Sequence, residues 1–455
     1  MSGSRIERQD ALSFYRLAVP LITSRAGLAV MGMADALMVS RFSAHEFAWL
    51  SLAEGTLGRV LDICVAFLIG GLSLVPRAIA SGDPVLAHRL WQRTIPVAVL
   101  LGLCGLGAAL FGQQVLDAAG QPAELSAGAA RVMRVLGFGY PAALLAIGAA
   151  VYLEGVGHPE VVAATVVAAN VLNVGLNWVL IGGHWGAPVM GAAGSALSTT
   201  VVRCVLALVL VMWAMRSAND QRASHSTPDG EQWRLGMGAA ATVGVLVALT
   251  AVMTAFAGWL GMVPLVVYSA AWNVAGPVAL ITLGLADATG LQVAAEAGRH
   301  GDAAAARVAW MNLRRTLLPV GALAALLIAA TRPAATFYLA DHSAAAVMAS
   351  CLPFVACLLV IDASGFVMAA ALRSVRDAVG PPGIDIGATA LLVAIAATLT
   401  FYRGMGVHGL FTAMVIAGLV RAGLLVWRFH SRTALARTPV MAPASVSGAQ
   451  EPTHV

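Results

Sequence analysis

Asp35 is the residue that most demands a chemical role. It stands fifteen positions after Pro20, towards the outer end of a largely apolar stretch, and a carboxylate placed in hydrocarbon is costly unless it does something there. Asn173 and Asn177 are four apart, so they share one face of a helix. Thr199 lies eight residues into the next apolar run, at a similar depth. Together these side chains offer oxygen ligands and one titratable group, a set suited to a proton or to Na⁺. The plainer alternative for Asn173, Asn177 and Thr199 is a set of interhelical hydrogen bonds. Asp362 sits in the middle of a later run with Ser364 nearby and no base within one helical turn, and serves either coupling or structure. Glu54, Arg59 and Asp62 share a run. They read as an internal ion-pair network, with Arg25 a further possible partner of either acid, or as carboxylates lining a cavity that attracts cations. Asp287, in LADATG, is a third acid able to face a water-filled crevice.

Covalent chemistry finds no footing. No phosphate-binding loop, nucleophile elbow or paired Cys motif is present, and the histidines lack metal-ligand spacing. The five cysteines fall in apolar runs and read as buried free thiols. The expectation is a protein that is not an enzyme, with no catalytic residues, no metal site and no cofactor.

The elements that must position these groups are membrane helices. Hydrophobic residues make up 59% of the chain and charged residues 11%, with mean hydropathy +0.84; soluble domains carry about 25% charged residues. Twelve apolar runs fall roughly at 14–40, 47–75, 95–118, 131–154, 160–182, 190–215, 235–258, 262–294, 316–331, 344–372, 383–402 and 406–429. Each approaches the ~20 residues that cross a bilayer as a helix, and no β-barrel alternation is visible. All 27 basic residues are Arg. With the N-terminus inside, only Arg41, Arg131, Arg134, Arg332 and Arg403 lie in or near outer loops, so both termini are expected to be cytoplasmic. The first run is too long for a signal h-region and lacks a clear cleavage site, so no cleavable leader is expected. The net charge of +5 then reflects topology and lipid headgroups, not nucleic acid.

The chain also reads as written twice. Gly82-Asp83 recurs as Gly301-Asp302, Pro159 as Pro381, and Gly191…Arg203 as Gly406…Arg421, all at an offset of roughly 220 residues, which in a membrane protein points to two homologous lobes with a substrate site between them. The predicted fold is all-α and polytopic, with twelve helices in two six-helix lobes related by an axis along the membrane normal. The predicted organisation is a first lobe over 1–215, a cytoplasmic linker over 216–234, a second lobe over 235–432 and a disordered tail over 433–455. GGHWGAPVMG (182–191) and RGMGVHG (403–409) should form tight outer turns.

These residues resemble the multidrug and toxic compound extrusion (MATE) family along nearly the whole chain. Pro20 followed by Ala34-Asp35-Ala-Leu-Met-Val-Ser-Arg41 is similar to the family's first helix. Asn170-Val-Leu-Asn173-Val-Gly-Leu-Asn177-Trp, with the glycine-rich turn leading to Arg203, resembles its most recognisable block, and Asp362 with ALRSVRD and Pro381 resembles its tenth-helix block. The resemblance implies antiport of amphipathic or cationic organic compounds against H⁺ or Na⁺, by a monomer in the bacterial inner membrane. It also implies a cation site at Asp35, Asn173, Asn177 and Thr199, where one branch has Asp in place of Asn177. Asp362 matches an acidic position tied to coupling in part of the family; the seventh-helix acid used with it is missing, the nearest equivalent being around Leu246. Glu54, Asp62 and Asp287 are the candidates for the substrate cavity. The alternative is a flippase of lipid-linked saccharides, or an exporter of one metabolite, on the same architecture.

Overall fold

Apolar segments of this length can satisfy their backbone groups in hydrocarbon only as helices, and the structure is helical throughout. It is a computed structural model describing residues 2–217, 229–339 and 341–435. The first lobe contains α1 (Ser2–Phe42), α2 (Ala44–Leu72), α3 (Val75–Ala80), α4 (Pro84–Leu110), α5 (Gly112–Ala118), α6 (Ala123–Phe138), α7 (Tyr140–Gly155), α8 (Pro159–Gly182) and α9 (Gly191–Arg216). The second contains α10 (Asp229–Trp259), α11 (Met262–His300), α12 (Asp302–Ala329), α13 (Thr331–Tyr338), α14 (His342–Ser374), α15 (Gly380–Ala397) and α16 (Gly406–Leu435). Among the described residues 11 helical segments are long and apolar enough to span a membrane. The pair α6–α7, bent by 46°, makes the twelfth. The bend falls at Gly139-Tyr140-Pro141, where proline withdraws a donor from the helix ladder.

Three starts differ from the apolar runs, α1 beginning at Ser2 against a run from 14. α4 begins at Pro84 and α12 at Asp302, each more than ten residues before its run, because both helices continue through their basic stretches beyond the hydrocarbon. Asp83 caps α4, accepting from the Leu86 amide at 2.8 Å. The cysteines also differ: Cys351 is buried, but Cys104, Cys204 and Cys357 are exposed on outer helix surfaces. Of the expected linker, residues 229–234 form the start of α10; 218–228 and the expected tail beyond Leu435 lie outside the described residues. The turn after α8 closes through left-handed backbone at Gly183, Trp185 and Gly186.

Within each lobe the helices pack around their own apolar cores. The broad contacts between lobes join α2 with α10 and α1 with α11. α1 is shared: Phe14, Ala18 and Leu21 are buried in the second lobe's core, whereas Val39 is buried in the first lobe's. Cross-lobe polar contacts gather towards one end of the molecule. Arg77 donates to Asp302 at 3.0 Å and to the Ser374 carbonyl at 3.4 Å. Gln232 donates to the Leu90 carbonyl and to Thr94, and the Tyr15 hydroxyl donates to the Arg315 carbonyl at 2.9 Å.

Candidate functional site

The first lobe brings Asp35, Asn173, Asn177 and Thr199 into one cluster. α1 carries Asp35 beside α8, whose i,i+4 spacing turns Asn173 and Asn177 to the same side, and α9 completes it. Asn177 Nδ2 donates to Asp35 Oδ1 at 2.5 Å and to Asn173 Oδ1 at 3.2 Å. Thr199 Oγ1 donates to Asp35 Oδ2 at 2.7 Å. Ser198, not singled out in the sequence, donates to the Asn173 carbonyl at 3.1 Å. Both carboxylate oxygens are thus held by neutral donors and neither by a guanidinium. Asn177 Oδ1 is buried with no hydrogen-bond partner. The side chains are sealed: Asn173 and Asn177 are 0% exposed, Asp35 2% and Thr199 6%. An all-oxygen set of this kind suits a proton or a hard cation.

Glu54 stands half-buried on α2 and interacts through space with Asp35 and Arg203. Arg203 lies over the Tyr140 ring, 5.3 Å from its centroid. Asp62 and Arg59 are exposed on α2 and interact only through space, without a hydrogen bond between them.

Arg25 pairs with neither Glu54 nor Asp62. It bridges the lobes instead: its Nε donates to Asp287 on α11 at 2.9 Å, and its Nη2 lies 3.5 Å from Glu154 on α7. These three groups, with Arg373, border a 60 Å³ cavity on the seam, so Asp287 faces an ion pair and a space with room for a few waters. Glu154 was passed over in the sequence because it reads as the acid of a helix-ending EGVGHP turn.

In the second lobe Asp362 lies on α14, with no base nearby in sequence but one across the bundle. Arg421 Nη1 on α16 is 3.9 Å from Asp362 Oδ1, while Arg421 Nε donates to Asp385 Oδ1 on α15 at 2.6 Å. Asp385 is 1% exposed. It stands two residues into the apolar run 383–402, just after Pro-Pro-Gly, where an acid is ordinary at a helix start. The three groups stand at one end of a 390 Å³ cavity walled by α10, α11, α14, α15 and α16, which Leu246 and Trp272 also line.

The chain's relatives can be set beside this geometry. The MatE family profile matches residues 20–179 and 239–399, one segment in each lobe. A probable multidrug resistance protein NorM of Caulobacter vibrioides is 30% identical over 432 residues, covering 92% of this chain and 91% of that protein. Its counterpart from Bradyrhizobium diazoefficiens is 26% identical over 436 residues, covering 91% and 92%. The crystal structure of a MATE protein in a bent conformation superposes with a TM-score of 0.85 at 18% identity, covering 96% of this chain and 98% of that one. An outward-facing multidrug resistance MATE transporter gives 0.83 at 18% identity, covering 93% and 95%. Both share the two-lobed fold.

Proposed function

The chain belongs to the MatE family, and from that premise we propose that it is a secondary antiporter of the bacterial inner membrane, expelling amphipathic organic cations in exchange for H⁺ or Na⁺. It is a multi-pass membrane transporter and not an enzyme. The observation that carries the exchange reading is the setting of Asp35. A buried carboxylate held only by Asn177 and Thr199 keeps its charge uncompensated by any bonded base. It is therefore free to take a proton or to hold Na⁺ with the Asn173, Asn177 and Thr199 oxygens, and to release it when the lobes move. The cross-lobe hydrogen bonds of Arg77 and Gln232 lie at the ends of α3, α4, α10, α12 and α14 that the positive-inside rule assigns to the cytoplasm. In this reading the lobes are closed inside, both termini are cytoplasmic, the first lobe runs over 1–215 and the second over 235–432, and one chain acts alone. Glu54 and Asp62 on α2 face the route between the lobes.

A flippase for pyrophosphate-linked saccharides needs free cations in its cavity. Arg25 is engaged by Asp287 and Glu154, and Arg421 by Asp385. Arg59 and Arg203 have no hydrogen-bonded acid among the described residues, so the cation exporter is favoured by the Asp35 cluster and not by the arginines alone. The test is efflux of ethidium from everted vesicles under an imposed pH gradient or, separately, a Na⁺ gradient. Wild-type protein should export the dye under one of them. Asp35→Asn, an isosteric change, should insert normally and lose gradient-driven efflux. Wild-type efflux from a well-expressed Asp35→Asn protein would reject the assignment of coupling to Asp35.

A further inference from the structure

The two lobes descend from one pattern but have diverged in what they enclose. Thr250, Leu392 and Ala417 stand at the repeat's offset from Asp35, Asn173 and Thr199, and all three line the second lobe's cavity. Where the first lobe holds a sealed polar cluster, the second holds 390 Å³ of space. That volume lies within the range of about 300–1,000 Å³ typical of small-molecule sites. Its walls include Tyr268, Trp272, Phe366, Met253 and Met414, aromatic and thioether surfaces that suit a flat hydrophobic body.

The charges at its polar end are unevenly shared. Asp362 and Asp385 both approach the Arg421 guanidinium, and Arg373 interacts through space with Asp385 but makes no contact with Asp362. Asp385 is buried and accepts Arg421 Nε at 2.6 Å, which makes it that cation's hydrogen-bonded partner. Asp362 is left 3.9 Å from Nη1, outside hydrogen-bond reach, and its side chain is 32% exposed. An open, incompletely neutralised carboxylate at the end of an aromatic box is an arrangement for an organic cation. The first lobe's cluster has no room for one.

Resting on the antiport reading above, we infer that the second lobe's cavity receives the organic substrate, an aromatic monocation whose charge pairs with Asp362. Asp385 acts as a positioning residue that keeps Arg421 from neutralising Asp362, and the first lobe serves the coupling ion. The lobes divide the labour: ion in one, organic cation in the other.

The experiment uses the full chain in detergent with ethidium as the probe. Ala388 lines the cavity, and Ala388→Cys is a small change that leaves the walls intact. Ethidium should slow modification of the thiol at position 388 by a maleimide, read by mass spectrometry, at least fivefold at saturation. Asp362→Asn should weaken ethidium binding, read by fluorescence anisotropy, at least tenfold. In vesicles it should raise the dye concentration giving half-maximal efflux more than it lowers the maximal rate. Asp385→Asn should also weaken binding by freeing Arg421 to engage Asp362, whereas Asp385→Glu should restore it in part. Protein that exports ethidium but shows no protection at position 388 and unchanged affinity in Asp362→Asn overturns the cavity assignment while the antiport reading stands. Wild-type protein that exports no ethidium under either gradient fails the antiport reading itself. If Asp362→Asn does not fold, the protection measurement alone decides.

Discussion

Single side chains carried unequal information. Asp35, Asn173, Asn177 and Thr199 were legible because each breaks an apolar run and two of them obey helical spacing; the structure brings all four together. Asp385 and Glu154 were not, because each sits at the end of its apolar run, 383–402 and 131–154, where an acid is ordinary. Their partners, Arg421 and Arg25, are remote in sequence, and no periodicity links them. Asp377, in the loop after α14, is another acid whose partners only the fold supplies. It accepts from Arg428 at 2.6 and 3.1 Å and from the Gly380 amide at 3.0 Å. Burial pushes its carboxyl up, but the Arg428 hydrogen bond and the Gly380 amide outweigh burial and hold it below the usual carboxylate value of 3.8. A lowered folded-state pKa adds stability that is complete above the unfolded value and disappears as pH falls through the folded one. Asp377→Asn should therefore cost roughly 2 kcal/mol at pH 7. The melting-temperature gap from wild type should shrink as pH falls below 3.8. Thermal unfolding in detergent across that range checks this, and a gap independent of pH refutes it.

Helices were easier to read than their ends and bends. Hydropathy sees only the ~30 Å of hydrocarbon, so it found the spans and missed the opening turns of α4 and α12, which lead into basic stretches. Nor does it register a break inside a span, although Pro141 marks the α6–α7 bend. That bend is held by close approach. A Cβ on Gly102 of α4 would run into the Pro141 backbone, and one on Gly105 would meet the Tyr140 ring at 2.5 Å. Gly107, in the same helix, has nothing within 4 Å of that position. Gly102→Val should therefore abolish monodisperse protein on fluorescence-detected gel filtration, whereas Gly107→Val should elute as wild type. Equal profiles for the two variants would show that the α4–α7 contact does not hold the bend.

For the whole molecule, the repeat announced two lobes, but nothing in it disclosed how they meet. That depends on pairs such as Arg25 with Asp287 and Arg77 with Asp302, which join residues more than two hundred positions apart. Ser73 borders the seam cavity beside Arg25 and Asp287. Breaking the Arg25 tie with Asp287→Asn should loosen the closed end. Maleimide modification at position 73 in a Ser73→Cys background should then rise severalfold in everted vesicles. Unchanged labelling would mean that the remaining contacts hold the seam without this pair.

The shared helix has a consequence for biogenesis. α1 leaves the ribosome well before α10, α11 and α14, yet Phe14, Ala18 and Leu21 bury against the core those helices build. During synthesis that surface has only lipid to face, and a fragment ending after α9 never acquires its partner. The first half made alone should be a substrate for membrane proteolysis, and co-expression of the second half as a separate polypeptide should protect it. The duplicated gene has thus produced two lobes that no longer mature independently.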